Sequence, residues 1–302
     1  MKYLVTTLLL TALHLGSFSQ VEPILRIGLI ADPQYQDAPT VGDRYYRGSL
    51  NKLKSAIDTL NLYQVDFIQN LGDIINGKWR SYDSIISIYR NVNQNIEVYH
   101  LLGNHDFSVD STLKKNILVK LSMPNYYYSY EKNGWKFIVL DATDVSFFSN
   151  ALHNYNTEVI DAYYKKTIGK QNHYDWNSAI GIEQQNWLKE ELKTAKKLNQ
   201  KVILFCHMPL LPKDATNLWN SKEIIKLIEK YRKNVVAFVS GHRHEGGYAY
   251  KKGIHYIGIY GMLNTEISSY GILELYNNKL ILKGYGNQKD MLLETIKKQN
   301  NH

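Results

Sequence analysis

Residues 96–106 read IEVYHLLGNHD, an apolar run that ends in a short polar motif. The length of the run and its content of Ile, Val and Tyr are typical of a buried strand. The motif places Asn104, His105 and Asp106 directly after that strand. Amide, imidazole and carboxylate groups bind metal ions or transfer protons. The segment therefore predicts a strand that presents reactive side chains at its carboxyl end.

The same layout recurs along the chain. Five more apolar runs have the length of buried strands, at residues 24–31, 65–71, 135–140, 202–206 and 235–239. Apolar residues at helical spacing lie between several of them, within residues 50–60, 82–89, 182–192 and 224–228. Strands that alternate with helices indicate an α/β layered architecture. A terminal β-meander or hairpin is predicted from three shorter runs, at residues 256–259, 271–275 and 279–282.

Side chains that can bind metal follow five of the predicted strands. They are Asp32 and Gln34, Asp73, Asn104, His207, and His242 with His244. In open α/β sheets, ligands bind beyond the carboxyl ends of the strands, so these residues are expected to meet at one edge. A single aspartate or histidine at a strand end is usually structural. The full set in this order is specific, and it predicts a metal site.

The order of these motifs resembles that of the calcineurin-like metallophosphoesterase superfamily, over residues 24–284. The resemblance implies an α/β (α+β) fold, a four-layer β-sandwich flanked by helices with a dinuclear metal site at the strand ends. One ion would be held by Asp32, Gln34, Asp73 and His244, and the other by Asp73, Asn104, His207 and His242. The shared carboxylate of Asp73, together with a bridging hydroxide that attacks phosphorus, would offset the repulsion between two dications.

The resemblance also places His105 on the substrate side of the site and not on a metal. There His105 would stabilise developing charge or protonate the leaving oxygen. Asp106 would fix the tautomer of His105 through a hydrogen bond. A packing role behind the ligands is the alternative for His105.

Gln34 narrows the resemblance, because most members of the superfamily have histidine at this position. An amide oxygen is a hard ligand, which favours Mn²⁺, with Mg²⁺ or iron as alternatives. The chain here is similar to the manganese-dependent ADP-ribose/CDP-alcohol diphosphatases, which carry Asp-x-Gln. Further blocks shared with that family are RYYR at 44–47, LGDIING at 71–77, YYYSY at 126–130, LDA at 140–142, QQNWL at 184–188, HMPL at 207–210 and GHRHEGGY at 241–248. The resemblance implies hydrolysis of a phosphoanhydride bond in a nucleotide-derived small molecule such as ADP-ribose or CDP-choline.

Several residues are candidates for contacts with such a substrate. Arg44 and Arg47 have the fork geometry that binds phosphate, although both could be surface arginines at the start of a helix. Tyr45 and Tyr46 could stack on a base or ribose, or belong to the core. Asn76 could contact substrate or serve as a turn residue. Residues 144–180 form a long aromatic segment, which predicts a substrate-specificity loop that acts as a lid or nucleobase wall.

The first twenty residues have the layout of a secretory signal peptide. Lys2 precedes an apolar run from Leu4 to Leu15, and small residues follow it. This layout predicts cleavage near residue 20, a single mature domain over residues 21–302, and a secreted or periplasmic protein without a membrane anchor.

Cys206 is the only cysteine in the chain, so no internal disulfide is expected.

Composition narrows the possible partners and functions. The formal net charge is +8, but the lysines and arginines are scattered, so nucleic-acid binding is not expected.

Two rival functions remain open. The first is a broad phosphomonoesterase or cyclic phosphodiesterase that uses the same metal pair. The second is a catalytically silent metal-binding scaffold. The oligomeric state is unknown from sequence.

Overall fold

The computed structural model describes residues 22–149 and 155–295. The predicted signal segment, residues 1–20, lies outside this part of the chain. The strands are β1 (Leu25–Ile30), β2 (Phe67–Asn70), β3 (Glu97–His100), β4 (Tyr128–Lys132), β5 (Trp135–Val139), β6 (Lys201–Cys206), β7 (Val235–Ser240), β8 (Gly247–Lys251), β9 (Ile254–Gly258), β10 (Tyr270–Leu275), β11 (Lys279–Tyr285) and β12 (Met291–Glu294). The helices are α1 (Ser49–Leu62), α2 (Ser81–Tyr89), α3 (Ser111–Lys114), α4 (Ile117–Lys120), α5 (Thr157–Lys165), α6 (Ile182–Lys197) and α7 (Ser221–Glu229), with a 3₁₀ turn at His105–Phe107.

Two six-stranded sheets lie at the centre of the described structure. Their strand orders are β12-β11-β10-β1-β2-β3 and β4-β5-β6-β7-β9-β8. The first sheet contains the parallel run β1, β2 and β3, and the second contains the parallel run β5, β6, β7 and β9. The loops that leave five of these strands, β1, β2, β3, β6 and β7, carry the predicted metal ligands. The remaining strands pair antiparallel and extend both sheets outward.

The sheets and helices form four layers. One apolar cluster, including Ile27 and Phe137, fills the space between the two sheets. A second cluster packs α1 and α2 on the first sheet, and a third packs α6 and α7 on the second. Gly28 lets α1 approach β1 closely, because a Cβ there would lie 2.8 Å from Leu60. The predicted α/β fold with a four-layer sandwich is confirmed.

The prediction for the terminal strands was partly wrong. Strand β9 does not join the terminal meander but pairs parallel with β7 and antiparallel with β8 in the second sheet. The meander consists of β10, β11 and β12, and it extends the first sheet. The short strands β4, β8 and β12 were missed because polar and exposed residues interrupt their apolar pattern.

Residues 144–180, predicted as a loop, contain a helix and their own small core. Helix α5 lies inside the segment, and an isolated bridge between Val145 and Ala179 closes its base. Four of its aromatic side chains, Phe147, Tyr155, Tyr163 and Tyr164, pack with Ile160 and Trp219 in a separate apolar cluster. The segment is therefore an ordered structure over its described residues. None of the helices in the described ranges is long and apolar enough to cross a membrane.

Candidate metal centre

Three predicted ligands from both sheets converge at the strand ends. One possible ligand atom from each of Asp73, His207 and His242 lies within 4.8 Å of the other two. His207 Nε2 is 3.4 Å from Asp73 Oδ2 and 3.1 Å from His242 Nδ1. Asp73 follows β2 in the first sheet, whereas the two histidines follow β6 and β7 in the second. The cluster therefore joins the two sheets at one edge.

A second group of predicted ligands shares Asp73 with the first. Gln34 Nε2 lies 2.9 Å from Asp73 Oδ2 and 3.1 Å from His244 Nε2. His244 Nε2 is 3.5 Å from Asp32 Oδ1, and Asp32 also accepts the backbone N–H of His242 at 3.0 Å. Asp73 thus lies at the junction of two donor sets, as a shared carboxylate would.

Two buried amide oxygens in this region have no partner among the described residues. They are Oε1 of Gln34 and Oδ1 of Asn104. An unpaired buried acceptor costs about 1–3 kcal/mol, so such atoms are normally bonded to something. A divalent cation would pair with Asn104 as it stands. It would pair with Gln34 after the amide turns over to place Oε1 beside Asp73 and His244. Carboxylates, amide oxygens and imidazoles together form a donor set that fits Mn²⁺ or a similar divalent metal.

Each predicted histidine ligand is oriented by an acceptor on its outer nitrogen. His207 Nδ1 donates to the Leu71 carbonyl at 2.7 Å, and His244 Nδ1 donates to Asn264 Oδ1. His242 Nε2 lies 3.2 Å from Oδ1 of Asn177. These contacts place a proton on each outer nitrogen and turn the inner nitrogens towards the predicted metal positions.

Two of these acceptors, Asn177 and Asn264, could not be identified from sequence. Asn264 is an isolated loop asparagine after β9, and its role depends on packing that no local pattern shows. Asn177 lies within the aromatic segment 144–180, but its own residue type did not single it out. Only the fold brings either residue beside a histidine.

The backbone at the strand ends is strained. The φ angles of Asp32, Gln34, Asp73 and His242 are 49°, 41°, 51° and 65°. Positive φ is uncommon for residues other than glycine and concentrates at functional sites. Gly103 is required for a different reason, because a Cβ there would lie 2.2 Å from Asp73 Oδ1. These backbone conformations direct the side chains of the candidate ligands towards one point.

The charges in the metal-free cluster are strongly coupled. Burial alone would raise the pKa of Asp73, but the neighbouring His207 and His105 hold it well below its usual range. Burial alone would lower the pKa of His207, but the charge of Asp73 raises it to about 9. Burial and the charge of His207 hold the pKa of His242 far below its usual value. The metal-free cluster therefore keeps a proton on His207, which an incoming cation must displace.

His105 lies beside the cluster and has a free imidazole. Its backbone N–H donates to Asp73 Oδ1 at 2.8 Å. The side chain is half-buried, and within the described ranges its ring forms no hydrogen bond. The ring is therefore available to a bound molecule.

The prediction that Asp106 fixes the tautomer of His105 was wrong. Oδ1 of Asp106 accepts the backbone N–H groups of Ile74 and Ile75, at 3.0 and 3.3 Å. Oδ2 accepts the N–H of Gly103 at 2.9 Å. The carboxylate is fully buried, and it satisfies backbone donors that would otherwise be unpaired. Asp106 instead ties the loop after β2 to the loop after β3.

The two candidate phosphate-binding arginines, Arg44 and Arg47, interact with residues close to them in sequence. Arg47 forms an ion pair with Asp37 at 2.8 Å, and both side chains are more than half exposed. Arg44 lies in a short turn bridged to Val41. Arg47 therefore behaves as a surface arginine in this structure. Whether Arg44 binds phosphate stays a prediction.

Two of the other candidate substrate contacts, Tyr45 and Asn76, form hydrogen bonds to neighbouring loops. Tyr45 donates its hydroxyl to Glu266 at 3.2 Å, and Tyr46 is half-buried. Asn76 donates its amide to Gln36 at 2.7 Å. Asn76 therefore behaves as a turn residue that joins two ligand loops. Contact of any of these residues with substrate stays a prediction.

An aromatic pair from the segment 144–180 stands beside the metal cluster. The ring of Trp176 is 5.4 Å from the ring of His242, and Tyr174 stacks on Trp176 at 4.8 Å. Tyr174 is 46% exposed. The segment's other described tyrosines, Tyr155, Tyr163 and Tyr164, pack instead in the segment's own core.

A four-layer sandwich whose strand ends gather carboxylates, amides and histidines is the architecture of a dinuclear metallophosphoesterase. Residues 25–246 match the calcineurin-like phosphoesterase model, and the chain belongs to that family. It is therefore a metal-dependent hydrolase of phosphoric esters or anhydrides.

Among its relatives, the manganese-dependent ADP-ribose/CDP-alcohol diphosphatase of Arabidopsis thaliana is 29% identical, with 87% of this chain and 94% of that protein covered. The human protein of the same name is 27% identical, with 93% and 96% covered. These matches confirm the family resemblance expected from the motifs.

Solved structures share the fold. A dimetal phosphatase from Danio rerio superposes with a TM-score of 0.80 at 23% identity, covering 91% of this chain and 100% of that chain. GAP50, described as the anchor in the inner membrane complex of Plasmodium, superposes with a TM-score of 0.62 at 18% identity, covering 91% and 90%. Because one fold carries a phosphatase and an anchor, the substrate must be argued from the site.

Proposed function

We propose that this chain hydrolyses the phosphoanhydride bond of nucleoside diphosphate derivatives such as ADP-ribose and CDP-alcohols, with Mn²⁺ at the metal centre. The observation that carries the proposal is Gln34, whose amide lies between Asp73 and His244. An amide oxygen at this position favours hard divalent metals. Relatives that bear the manganese-dependent diphosphatase name match 87% or more of the chain.

The proposed ligand sets follow the two groups that share Asp73. With Asp73 shared, Asp32, Gln34 and His244 would hold one ion, and Asn104, His207 and His242 would hold the other. When bound, a pair of divalent ions polarises phosphoryl oxygens and lowers the pKa of a water molecule.

The chain's own residues hold this arrangement. Asp73 receives the backbone N–H of His105, which fixes the orientation of the shared carboxylate. The acceptors behind the histidines hold a proton on each outer nitrogen and turn the inner nitrogens towards the proposed metal positions. Because these groups are in place before substrate arrives, little reorganisation is needed at the moment of reaction.

His105 is proposed to act on the leaving group of the scissile phosphoanhydride bond. Its imidazole follows the ligand Asn104 and is free of hydrogen bonds in the described structure. In this role it donates a proton, or a hydrogen bond, to the oxygen of the departing phosphate. Water adds to one phosphorus and the anhydride P–O bond breaks, which yields a nucleoside monophosphate and a phosphorylated partner.

A substrate panel tests the proposal. Metal-free protein is reconstituted separately with Mn²⁺, Mg²⁺, Fe²⁺ or Zn²⁺, and kcat/KM is measured for ADP-ribose, CDP-choline, a nucleoside monophosphate and a cyclic nucleotide. The expected result is the highest kcat/KM for a diphosphate substrate with Mn²⁺. Preference for the monophosphate or the cyclic nucleotide would instead support the rival phosphomonoesterase or phosphodiesterase. No turnover with any metal would support a silent scaffold.

Gln34→His provides a matched test of metal choice. Imidazole is softer than an amide oxygen, so this variant is expected to shift the preferred metal from Mn²⁺ towards Zn²⁺. An unchanged order of metal preference would show that Gln34 does not bind the ion.

We also propose that the protein is exported, on the pattern of residues 1–20. Expression of the full chain in a Gram-negative host, followed by fractionation and mass measurement, tests this. The expected product lies outside the cytoplasm and lacks about twenty residues. A full-length cytoplasmic product would overturn the proposal.

A further inference from the structure

Three rings form a stack that begins at the metal centre and ends at solvent. The imidazole of His242 is the innermost, with the indole of Trp176 5.4 Å from it at an interplanar angle of 53°. The phenol of Tyr174 stacks on the indole at 4.8 Å and 20°. Tyr174 is 46% exposed, so its outer face is accessible.

The backbone around this stack is held in place from several directions. The Tyr174 carbonyl accepts the indole N–H of Trp219 at 3.0 Å and the backbone N–H of Asn177 at 3.2 Å. The buried amide of Asn177 donates to the carbonyls of Asn172 and Ala215. Because the backbone is fixed and the two rings stack on each other, they lose little entropy when a ligand packs against them.

Trp176 and Tyr174 differ from the segment's other aromatic residues in what their rings contact. Tyr164 stacks on His173 at 4.1 Å and contacts Trp219 and Phe147 edgewise or at a tilt. It is committed to the segment's own core, as are Tyr155 and Tyr163. Among the described aromatic residues of the segment, the Tyr174–Trp176 pair is the one that reaches both the metal centre and solvent.

We propose that Tyr174 and Trp176 form the surface on which the nucleobase of the substrate stacks, an inference that rests on the proposed function. The outer ring lies at most about 10 Å from the His242 ring by the two centroid distances. This span suits a nucleotide whose phosphate is at the metals and whose ribose bridges to the base. Every base has a π-face, so a stacking surface accepts adenine and cytosine alike. The pair therefore gives affinity for a base without strong choice between bases.

Tyr174→Ala is the decisive variant, because it removes the outer ring and leaves the Trp176–His242 contact intact. Loss of one base–aromatic stack raises KM for ADP-ribose and CDP-choline roughly 5- to 100-fold, with little change in kcat. Tyr174→Phe keeps the ring and restores KM. Methyl diphosphate carries no base, and its hydrolysis is unaffected by Tyr174→Ala. An equal loss on methyl diphosphate would mean a structural effect and would overturn the proposal.

Tyr63→Ala is the matched control. Tyr63 is 41% exposed and follows α1 at the amino end of β2, opposite the metal centre. Its removal leaves KM unchanged for all three substrates. A rise in KM equal to that of Tyr174→Ala would show that loss of any exposed tyrosine has the same effect.

Direct binding separates this inference from the proposed function. Calorimetric titration of metal-loaded protein with AMP, CMP and ribose 5-phosphate measures base recognition without turnover. Tyr174→Ala is expected to weaken AMP and CMP binding and to leave ribose 5-phosphate binding unchanged. Equal AMP affinity in wild type and variant would overturn the stacking role, even if ADP-ribose proves to be the substrate. Failure of the wild type to cleave any diphosphate, with AMP binding still dependent on Tyr174, would overturn the proposed function alone.

Discussion

Asn177 Oδ1 lies 3.2 Å from His242 Nε2, so a residue of the segment 144–180 orients a predicted metal ligand. The two residues are 65 positions apart in sequence. Asn177 has no surface exposure, and its amide nitrogen donates to two backbone carbonyls. The segment proposed to recognise the substrate is thus joined to the metal centre through the fixed side chain of Asn177 as well as through the ring of Trp176.

Asn177→Ala is expected to weaken metal binding more than catalysis. Groups that orient a metal-binding histidine typically contribute about 10- to 100-fold in affinity, so the apparent Kd for Mn²⁺ should rise by that factor. Saturating Mn²⁺ should restore most of kcat. Calorimetry on metal-free protein gives the Kd, and Asn234→Ala, which also removes a buried amide bonded to a backbone carbonyl, is the control. Wild-type Mn²⁺ affinity in Asn177→Ala would contradict the orienting role.

Gly103→Ala tests how tightly the shared carboxylate is enclosed. The added methyl would lie 2.2 Å from Asp73 Oδ1 and 2.6 Å from His207 Nε2, so one ligand must move. We expect Mn²⁺ affinity to fall by roughly 100-fold or more, since displaced ligands lose the site's geometry. Gly48→Ala is the control, because its nearest contact would be 3.4 Å and its φ of −65° suits alanine. Equal metal affinity in both variants would show that the loop relaxes around the methyl group.

His105→Ala and Asp106→Asn should fail in different ways. His105→Ala removes a free imidazole, so we expect unchanged Tm and metal content with kcat lowered about 10²-fold or more. Asp106→Asn places an amide donor against a backbone N–H, and the unpaired groups should cost about 1–3 kcal/mol of unfolding free energy. Thermal melts and metal analysis on both variants distinguish the two outcomes. Equal melting temperatures and the same loss of kcat in both variants would restore the pairing of Asp106 with His105.

The candidate ligands could be picked out from sequence because each follows an apolar run that ends in a short polar motif. The pattern is local, as in the pair Leu71 and Asp73, and parallel strands bring such positions to one edge. The role of Asp106 could not be read in the same way. Adjacency to His105 suggested a contact, but successive residues of a 3₁₀ turn point in different directions, and Asp106 faces the interior.

The acceptors behind the histidines and the ring stack depend on tertiary packing. Asn264 is an ordinary loop asparagine in sequence, and it acquires its role by facing His244. Trp176 was not distinguishable from the segment's other aromatic residues until the position of His242 was known. The aromatic content of 144–180 alone could not show which rings pack in the segment's own core and which ring faces the metal centre.

Metal binding should depend steeply on pH because His207 and Asp73 hold a proton between them. The charge of Asp73, 3.4 Å away, raises the pKa of His207 to about 9 against the opposing effect of burial. His207 Nδ1 donates its proton to Leu71, so the proton that an ion displaces is the one on Nε2. The protonated state is favoured below that pKa, and lowering the pH therefore favours the metal-free form.

Apparent Mn²⁺ affinity should fall about tenfold for each unit of pH below the pKa of His207, over the range from about 8.5 to 6.5. Calorimetry in buffers of different ionisation enthalpy should show about one proton released from His207 on metal binding within that range. Asn177→Ala, which weakens metal binding through His242 and has no hydrogen bond to His207 or Asp73, should bind Mn²⁺ more weakly but keep the same slope. A flat pH dependence in the wild type would mean that His207 is already unprotonated before metal arrives, because the burial of the imidazole then outweighs the charge of Asp73.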